Sequence, residues 1–187
     1  MKIIELYEDE LPQDFGSAIG LIQRDCKPFL SQANGGLLYR GMRSAVGEKA
    51  VVFSKKTPRT DRKPRNTDIR LHKIMDDWFN EKFGVKARSE AVFCTGDFID
   101  ALSYGAAYAI FPIGDFKFIW SEYINDLFIA ARRNPSTLLD TLKDANYKTT
   151  NLPEAIESDH EIMISCKEYY ALCVQSPSDI ENIKTNL

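Results

Sequence analysis

Glu161-Ile162-Met163-Ile164 and, after four intervening residues, Tyr169-Tyr170-Ala171-Leu172-Cys173-Val174 are the most strand-like stretches of the chain. Both are dense in the branched and aromatic side chains that suit a pleated, half-buried surface. Outward from them the pattern changes repeatedly. Phe116-Lys117-Phe118-Ile119-Trp120 and Ala91-Val92-Phe93 also read as strands. So do Leu37-Leu38-Tyr39-Arg40, closed by Gly41, and the short Val51-Val52-Phe53. Between them lie stretches of helical period. The first spans 14–31, with Asp14 or Ser17 as cap and Ile19, Ile22, Cys26, Phe29 and Leu30 along one face. The second spans 69–83, capped by Asp68 and ended by Gly84, with Leu71, Met75, Trp78, Phe79 and Phe83 recurring at helical spacing. Asp97 to Tyr108, 122–132 after Ser121, and 135–145 from Pro135 complete the helices. Strands and helices are mixed without regular alternation, which predicts an α+β fold over a doubly wound sheet. With no internal repeat and no low-complexity linker, residues 1–187 are expected to form a single domain.

Composition narrows the class. Apolar residues make up 44% and charged residues 27%, ordinary globular usage. No apolar run reaches the ~20 residues needed to span a bilayer. The opening Met1-Lys2-Ile3-Ile4-Glu5 is not a basic segment leading into an apolar one, so no signal peptide is expected. Cys26, Cys94, Cys166 and Cys173 are widely spaced and form no C-x-x-C pair. They read as free thiols of a cytoplasmic protein, and a zinc or other metal site is not expected.

The net charge of −3 does not advertise a nucleic-acid binder. Yet residues 55–70, KKTPRTDRKPRNTDIR, hold seven basic and two acidic side chains. Such an asymmetry makes an anion-attracting face on an acidic protein. Two prolines and no apolar period predict a loop over 55–67. Arg59, Arg62 and Arg65 recur every third residue and can follow a phosphate backbone, whether of a nucleic acid or of a nucleotide. The loop has no interleaved aromatics for base stacking, and a solvated basic loop is the simpler reading.

Familiar catalytic motifs are absent: no Walker loop, no G-x-G-x-x-G after a strand, no G-x-S-x-G, no H-E-x-x-H. Of the two histidines, His72 falls on the amphipathic 69–83 stretch, where a structural or surface role is expected. Three separated segments remain. In Tyr39-Arg40-Gly41 a guanidinium at the end of an apolar strand can make paired bonds to phosphate, the glycine allowing close approach. Taken alone, the segment is better explained as an edge-strand arginine in a structural ion pair. Phe93-Cys94-Thr95-Gly96-Asp97 puts a hydroxyl and backbone N–H groups at a strand-to-helix turn, or is a plain helix cap. In Asp159-His160-Glu161 an extended backbone would place both carboxylates on one side, at a strand entrance. That suits stabilising a developing cation and activating a nucleophile; solvated charge is the alternative.

Taken in order, these segments resemble the Arg-Ser-Glu class of mono-ADP-ribosyltransferases. That signature is an arginine after an apolar strand, a Phe-x-Ser-Thr-Ser-like turn, and Glu-x-Glu or Gln-x-Glu before an apolar strand. The matching positions are Arg40, Phe93-Cys94-Thr95-Gly96 and Asp159-His160-Glu161, and the resemblance spans about residues 37–174. Two positions depart from it: Cys-Thr-Gly replaces Ser-Thr-Ser, and Asp159 is neither Glu nor Gln. The resemblance implies a split, mainly antiparallel β core with N-terminal and flanking helices. It implies NAD as the cosubstrate, no metal, and transfer of ADP-ribose to a protein or nucleic-acid acceptor by a toxin-like or phage-type effector.

Under that implication Glu161 stabilises the oxocarbenium-like ribose and Asp159 polarises the acceptor. Arg40, flanked by Tyr39 and Gly41, clamps phosphate, and Thr95 places Glu161. Phe93 or Tyr104 stacks on nicotinamide, although each also reads as core. Two other classes stay open. One is a non-enzymatic binding module on the same fold, holding nucleic acid or an acidic partner through 55–70. The other is a nuclease or phosphoesterase using Asp159, His160 and Glu161.

Overall fold

The structure is a computed structural model that describes residue 11 and residues 14–43, 53–63, 68–133 and 135–187. Its elements run α1 (Phe15–Asp25), α2 (Lys27–Ala33), β1 (Tyr39–Met42), β2 (Phe53–Lys56), α3 (Ile69–Phe83), α4 (Ala87–Glu90) and β3 (Val92–Cys94). Then come α5 (Phe98–Leu102), β4 (Ala106–Pro112), β5 (Phe116–Ile119), α6 (Leu127–Arg133), a 3₁₀ turn (Pro135–Thr137) and α7 (Leu138–Asp144). The chain closes with α8 (Leu152–Glu157), β6 (Ile162–Cys166), β7 (Tyr169–Val174) and α9 (Pro177–Asn186). This is an α+β architecture. One sheet has the order β1-β4-β7-β2 and the other β3-β6-β5, with every paired strand antiparallel.

A backbone bridge joins the two sheets. Tyr39 and Thr95 exchange backbone hydrogen bonds of 2.8 and 2.9 Å, so the start of β1 lies beside the end of β3. The three-stranded sheet is a wall between two apolar cores, as the period-two alternation of its strands dictates. Ile162, Ile164, Val92, Cys94 and Phe118 face one core, shared with α1, α2 and the larger sheet. Met163, Ile119 and Phe93 face the other, built with Met75 and Phe79 of α3 and Leu142 of α7. Each fully buried large side chain contributes about 1.5–3 kcal/mol of hydrophobic stabilisation.

Several expected elements take a different form. The helix expected over 14–31 breaks at Cys26, because Pro28 has no N–H to continue it. The first strand starts at Tyr39 rather than Leu37. The helix expected from Asp97 to Tyr108 stops at Leu102. Gly105, at φ 138°, turns the chain into β4, a central strand buried along nearly its whole length. Ser121 does cap, accepting from the Tyr123 and Ile124 N–H groups, but it caps only a turn. α6 begins at Leu127, where Asp126 accepts from Phe128 and Ile129. The helix expected over 135–145 is a 3₁₀ turn followed by α7. Lys55 and Lys56 belong to β2 rather than to a loop, while Val51 and Val52 of the expected strand lie outside the described residues. Helices α4, α8 and α9 had no counterpart in the expectation. Among the described residues no helix is long and apolar enough to cross a membrane.

Candidate functional site

Arg40 and Glu161 come to the same end of the three-stranded wall by different routes. Arg40 is the second residue of β1, and its Nη1 reaches across to donate to the Phe93 carbonyl at 3.0 Å. Thr95 follows β3. Its Oγ1 donates to the Asp159 carbonyl at 3.1 Å and accepts from the Asp97 N–H at 3.1 Å. That contact ties the turn after β3 to the segment that leads into β6. Glu161 ends that segment, its N–H donating to the Asn125 carbonyl at 2.9 Å.

The carboxylate of Glu161 is paired. Arg88, on α4, places Nη1 3.2 Å from Oε1 and 3.4 Å from Oε2, with only 13% and 19% of the two side chains exposed. Burial pushes the Glu161 carboxyl above the usual glutamate range; Arg88 opposes the shift and Asp126 adds to it. A carboxylate held in this way resists ionisation more than one in water.

Around it is an excess of positive charge. The guanidiniums of Arg62 and Arg88 lie over the Phe93 ring, at 4.6 and 4.5 Å from its centroid. Burial first, then repulsion from Arg40, Arg88 and Arg59, pushes the Arg62 guanidinium down to about 10. The Phe93 ring thus packs against the second core, as its core reading expects, and also carries two guanidiniums.

Other expected positions fall elsewhere. Tyr39 is buried, its ring edge-on to Phe98 at 5.8 Å, and its phenol is pushed up to about 12 by burial. It packs the core. Gly41 serves the close approach of α5: a Cβ there would stand 2.1 Å from the Ala101 carbonyl oxygen. Asp159 has a left-handed backbone, φ 59°, and an exposed side chain. The segment is not extended, so the same-side pairing expected for Asp159 and Glu161 does not hold; the Thr95 hydroxyl holds the bent backbone. Tyr104 is 64% exposed, its phenol raised by burial and then by Asp126, Asp100 and Glu161. It stands at the rim. His160 donates from Nδ1 to the Ser121 carbonyl at 2.8 Å.

The basic segment divides. Arg59 is exposed and pairs with Asp61 at 3.4 Å, whereas Arg62 turns inward to Phe93. Arg65 lies outside the described residues. The every-third-residue array along a backbone is therefore not seen for Arg59 and Arg62.

Arg88 is the main residue that the sequence did not disclose. A buried brace fixes it. Asp76 Oδ1 accepts from the backbone N–H groups of Arg88 and Ser89 at 2.7 and 3.1 Å, and its Oδ2 accepts from the Ser89 hydroxyl. His72 Nε2 lies 3.1 Å from that hydroxyl. Because the Ser89 proton is directed at the carboxylate, the trio acts as a helix cap, which gives His72 a structural role. A cleft of about 440 Å³ opens beside it, lined by Arg70, Lys73 and Lys86 among others, and reaches none of Arg40, Phe93, Thr95 or Glu161. Among the described residues no cluster of three or more His, Cys, Asp or Glu side chains is placed to hold a metal.

The chain matches no protein-family model, no curated protein and no solved structure. The geometry itself offers a half-buried carboxylate beside clustered guanidiniums, which suits a phosphate-bearing substrate that develops positive charge next to that carboxylate.

Proposed function

We propose that the protein is an NAD-dependent mono-ADP-ribosyltransferase acting on a protein or nucleic-acid acceptor, built on an ADP-ribosyltransferase-like split sheet. The observation that carries this reading is the adjacency of β1, β3 and the entrance to β6. The Tyr39–Thr95 bridge and the Thr95–Asp159 bond bring Arg40, Thr95 and Glu161 to neighbouring strand ends. The chemistry asks for that set. Cleaving the nicotinamide–ribose bond leaves an oxocarbenium-like sugar, which a carboxylate on a ribose hydroxyl stabilises. Glu161 takes that role, Arg40 holds phosphate, and the Thr95 hydroxyl fixes the backbone that presents Glu161. Asp159 and Tyr104, both at the exposed rim, face the acceptor.

Incubating wild type and Glu161→Ala with labelled NAD and a cell lysate tests the reading. Wild type is expected to transfer label and release nicotinamide. The variant is expected to lose about 100-fold or more, as when a preorganised charge-stabilising group is removed. Equal transfer by the two proteins removes Glu161 from the mechanism. Protease or nuclease sensitivity of the product then assigns the acceptor class. A non-enzymatic anion-binding module is the second reading, favoured by the Arg88 guanidinium, which already holds an anion, Glu161, through Nη1. It predicts salt-sensitive binding that survives loss of Glu161, with no NAD turnover.

A further inference from the structure

The geometry points to a phosphate-binding subsite made by Arg62 and Arg88 over the Phe93 ring, which Glu161 keeps closed until an incoming phosphate takes its place on Arg88. This stands whether or not NAD is cleaved, since it concerns anion binding alone.

Three observations carry it. First, two guanidiniums lie within 4.6 Å of one ring centroid, with Arg40 bonded to the carbonyl of the same residue. The repulsion among three guanidiniums, only partly offset by Glu161, is relieved by a further anion. Second, their hydrogen-bonding capacity is underused. Arg88 Nε is buried with no partner, and among the described residues Arg62 forms no ion pair. A guanidinium has five N–H donors in a fork that matches phosphate oxygens two at a time. Third, the Glu161 carboxylate is held weakly for so buried a pair, at 3.2 and 3.4 Å. Charge-assisted N–H···O bonds are usually about 2.7–2.9 Å. A phosphate carrying two charges competes well for that fork, and its arrival frees Glu161. Arg88 is thus a positioning residue for Glu161 as well as a phosphate ligand.

Calorimetric titration of the full chain with inorganic pyrophosphate, and separately with ADP-ribose, tests this at constant ionic strength. Arg62→Gln is expected to weaken both ligands about tenfold or more, the worth of one lost charge-assisted bond. Lys143→Gln, an exposed change of equal charge on α7, should stay within about twofold, a difference too small to represent a lost contact. Glu161→Gln is expected to tighten pyrophosphate several-fold, because a neutral amide competes for Arg88 less strongly than a carboxylate.

Arg88→Gln should weaken binding like Arg62→Gln. If its circular dichroism shows that it does not fold, Arg62→Gln and Glu161→Gln decide alone. Equal binding by wild type and Arg62→Gln overturns the subsite, and so does weaker binding by Glu161→Gln. Binding of ADP-ribose without pyrophosphate moves recognition to the nucleoside and also overturns it. The transferase reading fails separately. If wild type binds pyrophosphate in this pattern but never cleaves NAD, the subsite stands and the transferase does not.

Discussion

A methyl group at Gly96 would stand 1.7 Å from the carbonyl oxygen of Ile156, in the backbone of α8, and no rotamer relieves that contact. This accounts for a departure noted in the sequence, a glycine where the resembled motif carries serine. The turn after β3 is crossed so closely by α8 that any side chain collides. Gly96→Ala is therefore expected to destabilise the fold by about 3 kcal/mol or more, the upper end of overpacking costs. Urea denaturation measures it, and a cost below about 1 kcal/mol would show that α8 can slide away. Thr95 was expected to help place Glu161, and its hydroxyl bonds the backbone two residues before that glutamate. Tyr39 and Gly41 flank Arg40 in the chain, yet they serve packing. A local pattern of apolar strand, arginine and glycine does not say which neighbour the chain will bury.

At the scale of elements, the joint between α3 and α4 governs where Arg88 stands. Asp76 is buried and accepts two backbone N–H groups of α4 as well as the Ser89 hydroxyl. Asp76→Ala removes the acceptor for all three and is expected to cost about 2–4 kcal/mol, combining a lost cap with buried donors left unpaired. It should also loosen Arg88, so binding of pyrophosphate should fall along with the melting temperature. An unchanged melting temperature would show that α4 is held by its apolar contacts alone. This joint was hidden in the sequence because Asp76 bonds backbone N–H groups that every non-proline residue carries, and Arg88 in turn meets a carboxylate at position 161 to which no spacing rule links it. By contrast α3 and β7 were legible, since the first carries a clean helical period with both caps and the second a run rich in strand formers. β4 failed for a physical reason. It is buried on both faces, so it shows no alternation, and its alanines read as helix formers.

For the molecule as a whole, a carboxylate of this kind is expected to carry a stability cost that depends on pH. Burial raises the Glu161 carboxyl above its ordinary value. In the window from the usual glutamate range up to that raised value, the folded chain holds a proton that the unfolded chain has released. Stability then falls as pH rises through the window, and above it the full cost of ionising a buried group is present. Asp14 and Asp25 act in the opposite direction, because hydrogen bonds from Ser17 and from Arg24 respectively hold their carboxyls below the usual range. Their contributions are present at neutral pH and lost as pH falls. A wild-type profile would mix these signs, but a difference between two proteins that share Asp14 and Asp25 cancels them. Glu161→Gln keeps an oxygen to accept from Arg88 and removes the charge. It is expected to melt at a higher temperature than wild type at pH 8, with the gap closing as pH falls toward the ordinary glutamate range. Active sites commonly hold such groups at a cost to stability. A gap that stays constant with pH, or a variant that melts lower at pH 8, would mean that the Arg88 pair fully offsets the burial of Glu161 and that the carboxylate is an ordinary structural partner.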